Sequence, residues 1–184
     1  MSPDSIPQEQ EELVAMFIRE LETAGGHGFV CDEQDDLIDR ILRLCGERSV
    51  LLEEDPSTEP IRSRLLEAGV NVPSDMWDAE VGLAKVDFAV AATGTLVLMA
   101  GANRLLGASL LPYMFIALVE RSCLLADFDG LIRTLDTRLA DSDTGSSRPS
   151  TIHLITGPSR TGDVEMQLTM GVHGPPEVYA LLYE

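Results

Sequence analysis

The chain has 184 residues, enough for one domain that buries roughly 70% of its unfolded surface. Its 45% hydrophobic and 24% charged residues are ordinary for a globular protein, and no apolar run approaches the ~18 residues of a bilayer span. The net charge of −18 opposes nucleic acid and anionic membranes as partners. The acids crowd the first half: residues 1–80 hold 20 against six arginines, and residues 81–184 hold 11 against seven bases. A solvated acidic face is the simplest reading of that excess. The polar start MSPDSIPQEQEELV has no basic segment followed by an apolar one, so a cytoplasmic protein without a secretory signal is expected. Cys31, Cys45 and Cys123 are widely spaced, which argues against a disulfide framework and against an iron–sulfur cluster held by this chain.

In chain order, Leu13, Val14, Phe17, Ile18 and Leu21 predict an amphipathic helix over residues 8–24, stopped by Gly25-Gly26. Gly28 to Val30 is a short strand candidate. Asp32 is placed to cap a second helix bearing Leu37, Ile38, Ile41, Leu42 and Cys45, which ends at Gly46. Ser49 to Leu52 predicts a strand, Ile61 to Leu66 a third helix, and Val70 to Val72 a brief strand. Residues 84–92 and 96–99 predict two strands turning at Thr93-Gly94, and Gly101 to Ser109 a loop or short helix. Tyr113 to Val119 predicts another strand and Asp127 to Leu139 a helix. A surface loop over 141–150, a strand over Ile152 to Thr156 and a last strand over Val178 to Leu182 complete the chain. The alternation predicts a single α/β domain over 1–184, three-layer α/β/α, with a largely parallel sheet and a central hairpin. Residues 1–80 form its helix-rich acidic half, and residues 81–184 hold its motifs.

The candidate chemistry sits in TIHLITGPSRTGDVEMQLTMGVHGP, residues 151–175. Gly157 and Gly162 frame a loop after a strand, but Asp163 stands where a nucleotide-binding loop needs Lys. No GxGxxG occurs either, and no cofactor motif is found. A strand running into Gly-Pro-Ser and then a helix start would expose N–H groups at the carboxyl edge of the sheet, where Ser159, Arg160 and Thr161 can bind an anion. The plainer alternative has Ser159 or Thr161 capping a helix, with Asp163 and Glu165 favouring its dipole. Asp163 and Glu165 are also candidate general bases. Val164 to Val172 alternate as a strand would, yet Ser-Arg-Thr-Gly-Asp-Val-Glu opens as helices do, and a helix is preferred here. About eight helical residues would set His173 roughly 12–15 Å from Asp163, excluding a Ser159–Asp163–His173 triad. His173 then reads as a turn residue, and His27, His153 and His173 are too dispersed for a metal site. Thr93-Gly94-Thr95 offers a second ligand-binding turn or an ordinary hairpin turn.

AVAATGTLVL, then LLP, then HLITGPSRTGDVEMQLTMGVHGP resemble the LUD domain family, lactate utilisation protein C type, over roughly residues 80–184. The resemblance implies the α/β fold shared by ribose-phosphate isomerase, glucosamine-phosphate deaminase and CoA-transferase proteins. It implies a non-cluster component or accessory of bacterial L-lactate oxidation to pyruvate, beside iron–sulfur partner proteins. It carries over no catalytic residue. Where the family pattern usually has Glu before Thr93-Gly94, this chain has Ala92. A stand-alone enzyme acting on a small anionic metabolite, such as a sugar phosphate or acyl-CoA, is the alternative expectation, and a partner-binding module is a third.

Overall fold

Apolar stripes at helical spacing form the expected helices. The computed structural model describes residues 8–53, 56–73, 75–101, 106–141, 149–162, 168–170 and 173–184. Helix α1 (Gln8–Thr23) buries Val14, Phe17 and Leu21 on one face. Phe17 and Leu21 are fully buried, each worth roughly 1.5–3 kcal/mol. Helix α2 (Gln34–Cys45) buries Leu37, Ile38, Ile41 and Cys45. Asp32 does not cap it: Glu33 precedes the helix without a side-chain cap bond. Asp32 instead reaches Arg121 at 2.7 Å, because a buried guanidinium needs an anion more than a solvated helix end needs a cap. Helix α3 (Glu59–Glu67) follows a 3₁₀ turn at Pro56–Thr58.

Five strands form a parallel sheet: β1 (His27–Val30), β2 (Val50–Leu52), β3 (Val81–Lys85), β6 (Met114–Glu120) and β11 (Glu177–Tyr183). Their order is β1-β11-β6-β3-β2, so the last strand of the chain fills the place between the first strand and the rest. The predicted strand over Val70 to Val72 is absent; Asn71 only accepts one hydrogen bond from Val50 N–H at 2.9 Å. Side chains alternate across the parallel sheet as its pleat demands. Met114, Ile116 and Leu118 face α2 and α3, while Phe115, Ala117 and Val119 face α1. Helices on both faces give the expected α/β/α order.

The hairpin expected near residue 94 forms in a second sheet on the α1 side. That sheet runs β7 (Leu124–Leu125), β4 (Phe88–Val90), β5 (Thr95–Ala100), β8 (Thr151–Ile155). Short helix α4 (Gly107–Leu110) lies so close to β3 that a Cβ on Gly82 would collide with the Ala108 carbonyl. Helix α5 (Phe128–Asp141) packs over β4 and β7 on the second sheet's far face, joining Phe88, Val90 and Val97. Among the described residues no helix is long and apolar enough to cross a membrane.

Where the helix expected over 163–172 is described, at residues 168–170, the chain is a strand instead. Arg160–Gly162 (β9) and Leu168–Met170 (β10) pair antiparallel, Met170 opposite Arg160. The alternation of Leu168 and Met170 with polar neighbours outweighed the helix-like opening. Asp163 and Glu165 lie outside the described residues.

Candidate functional site

Strand pairing brings together the two motifs that stand about 60 residues apart in the chain. Leu96 pairs with Ile155, which sets Thr95 against Thr156. The hydroxyls of Thr95 and Thr156 lie 2.7 Å apart, and those of Thr93 and Thr95 also 2.7 Å. A chain of three hydroxyls thus runs from exposed Thr156 through buried Thr95 to Thr93.

Glycines make the close approach workable. Gly94 closes the 3₁₀ turn Ala91–Thr93 at φ +61°, with no room for a side chain against Leu21 of α1. Gly157, at φ +76°, sits where a Cβ would come within 2.7 Å of the Ala24 carbonyl oxygen. The Arg160 guanidinium passes over Gly25. Both motif turns therefore clasp the carboxyl end of α1. Its last turn has no basic residue, so Arg160 supplies the positive charge that a helix carboxyl end favours.

Beside this clasp lies a cleft of about 230 Å³, whose polar lining comes from Ser109, His153, Thr156, Ser159, Arg160 and His173. Ser159 N–H donates to the Pro175 carbonyl at 2.9 Å, and Ser159 Oγ accepts from His173 N–H at 3.3 Å. The expectation that His173 is carried away from this turn is thus corrected at Ser159, while the distance expected between His173 and Asp163 falls outside the described residues. A hairpin returns the chain to its start, whereas a helix carries it away. Thr161 pairs with Thr169 in that hairpin. A second correction concerns place. Pro175 precedes β11 and Gly25 precedes β1, so the cleft adjoins the amino edge of the parallel sheet, not its carboxyl edge. The Gly-Pro-Ser turn follows a strand of the second sheet, which runs under different directional rules.

Ser109 joins the site without having been singled out by the sequence, and so does His153, which the sequence offered only as a dispersed metal-ligand candidate. Ser109 Oγ lies 3.0 Å from the Leu106 carbonyl, to which it donates, and 3.3 Å from His153 Nδ1. Its one proton serves Leu106, so His153 donates from Nδ1 and keeps Nε2 as an acceptor. Burial lowers the His153 pKa, which keeps the ring neutral near pH 7. Only strand register could have revealed these neighbours. Ala92 is exposed, and its N–H donates to the Ala126 carbonyl at 3.0 Å. That backbone bond holds the turn whatever the side chain.

Other groups serve the scaffold. Arg121, nearly fully buried, ties Asp32 after β1 to Glu184 after β11, at 2.7 and 2.9 Å. Lys85 and Glu120 pair at 2.8 Å, and this bond first, then one from Ser122, holds the Glu120 carboxyl below its usual range. Burial pushes the thiol of Cys31 up to about 11 and those of Cys45 and Cys123 up to about 12, and all three are unpaired. Among the described residues no three His, Cys, Asp or Glu side chains gather as metal ligands would.

Residues 14–183 match the model of the LUD domain. The chain belongs to the LUD domain family. It is 32% identical over 159 residues to lactate utilization protein C of Halalkalibacterium halodurans, covering 78% of this chain and 66% of that protein. Over 97 residues it is 38% identical to the protein of the same name from Macrococcus caseolyticus, covering 53% and 41%. The chain thus spans less than two thirds of the length of these curated relatives. A DUF162 family protein from Deinococcus radiodurans shares the fold, with a TM-score of 0.69 at 17% identity over 97% of this chain and 100% of that one. In this LUD domain the Gly-Pro-Ser motif lines the cleft, and the Thr-Gly-Thr motif touches it through the Thr95–Thr156 hydroxyl contact.

Proposed function

We propose that this LUD domain serves bacterial L-lactate utilisation as a component without a cluster of its own, holding a small anionic metabolite in the cleft between its two sheets. The cleft's charge carries this reading. In a chain of 31 acids and 13 bases, the lining among the described residues holds no carboxylate and offers Arg160, two imidazoles and three hydroxyls. An anion there gains charge-assisted hydrogen bonds from Arg160. The relatives' names supply the biological setting. Oxidation of lactate to pyruvate beside iron–sulfur partner proteins, and a cytoplasmic location, complete the proposal. Asp163 or Glu165 would act as general base, and Thr93, Gly94 and Thr95 would support the lining residue Thr156 from behind through the chain of hydroxyls.

A second reading, a stand-alone enzyme on a sugar phosphate or acyl-CoA, is favoured by the neutral His153 ring held on Ser109. Thermal shift separates the two. Under the first, L-lactate or pyruvate near 100-fold its Kd stabilises the domain by about 2.7 kcal/mol, or roughly 5–10 °C. Arg160→Ala and Ser159→Ala should abolish the shift. A response to sugar phosphates or acyl-CoA alone selects the second reading, and no response to any anion rejects both. Normal growth on lactate after deletion of the gene would remove the lactate role.

A further inference from the structure

We infer that β8 is the seat of a homodimer, two copies pairing β8 to β8 around a twofold axis at His153. This pairing does not depend on a ligand in the cleft. In the order β7-β4-β5-β8 the outer side of β8 has no neighbouring strand among the described residues. The groups facing outward follow from the bonds of β5. Asp87 N–H donates to the Val97 carbonyl at 2.9 Å, and Met99 N–H donates to Asp87 Oδ2 at 2.8 Å. Val97 and Met99 therefore turn their main-chain groups towards β4. Their partners Leu154 and Ile152 turn theirs away from β5, to the outer edge.

A copy related by a twofold axis at His153 sets Ile152 opposite the partner's Leu154. Each such pair then exchanges both N–H···O bonds, so the edge is complementary to itself. The side chains agree. Ile152 and Leu154 are 38% and 48% exposed beside Val97 and Met99, on the strand farthest from β4 and β7, over which α5 lies. Edge strands that stay single are usually guarded by Lys, Pro or a bulge, and Thr151–Ile155 has none of these. Charge favours a second copy at this place. Residues 149–162 contain no acid, so two copies meet there without the repulsion that −18 imposes elsewhere. The two clefts then adjoin across the axis, each bordered by its own His153.

Light scattering on the eluting full chain at about 100 µM should read twice the 20.0 kDa chain mass, and added salt should strengthen the dimer. Leu154→Lys should elute as a folded monomer by circular dichroism, while Leu66→Lys, on exposed α3 surface, should stay dimeric. In a Cys123→Ser background, His153→Cys should form an intermolecular disulfide. Facing residues of a non-hydrogen-bonded pair lie about 4.5 Å apart at Cα, within disulfide reach. That cross-link decides the matter should Leu154→Lys unfold. A monomeric wild type, a dimer that survives Leu154→Lys, or a failed cross-link each overturns the inference.

Discussion

Replacing Gly94 by alanine asks whether the Thr-Gly-Thr turn is held by its seat on α1. The left-handed φ of +61° costs an L-residue roughly 1–2 kcal/mol. The added Cβ would also strike the Leu21 backbone nitrogen and stand 2.6 Å from Leu21 Cα. A helix backbone cannot rotate away as a side chain does. Helix α1 must shift, taking buried Phe17 and Leu21 with it, and overpacking of this kind costs roughly 1–3 kcal/mol. The expected loss is about 2–5 kcal/mol, a fall in Tm of roughly 5–20 °C for a chain of this size. Gly69→Ala is the control. Its φ is +78°, but its Cβ would meet nothing within 4 Å, so only the conformational cost applies. Urea unfolding followed by circular dichroism gives both losses from the midpoints at constant slope. Equal losses for the two variants would refute the claim that contact with α1 holds the turn.

Arg121→Met should lower stability by about 1–3 kcal/mol, and not more, because Asp32 and Glu184 are exposed enough to rehydrate; an unchanged urea midpoint rejects the clamp. Stability should decline as pH falls below 6.5, because the unfolded chain protonates His153 before the folded one does. Glu120, with its folded pKa depressed, contributes stability that is present above its unfolded value of 4.5 and lost as pH falls through the folded value. His153→Gln should therefore flatten the pH 7-to-5 leg and leave the more acid leg, which unfolding curves across about pH 3–8 would show. Iodoacetamide at about pH 7.5 should leave Cys31, Cys45 and Cys123 unlabelled in the native protein and label all three in urea; rapid native labelling would contradict their burial.

Some elements were legible because one local pattern decides them. The stripe Val14, Phe17, Leu21 specifies α1, and the unbroken run Met114 to Val119 specifies a strand buried on both faces. Elsewhere two local signals competed. Ser159 to Glu165 opens like a helix, yet Leu168 and Met170 belong to a strand, and the hairpin they make brings His173 back to Ser159. Asp32 looked like a cap because its partner Arg121 lies 89 residues away, beyond any local pattern.

The sequence by itself determined helices α1, α2, α3 and α5, the α/β class, the acidic balance and the family motifs. Each follows from composition or from a period of 3.6 or 2 residues within one element. Only the tertiary structure decided that the Thr-Gly-Thr and Gly-Pro-Ser turns meet at the end of α1, that the cleft beside them adjoins the amino edge of the parallel sheet, and that β8 stands at an edge among the described strands. Those outcomes depend on register between strands distant in sequence, and register is chosen by how whole faces pack, which no single stretch of residues encodes.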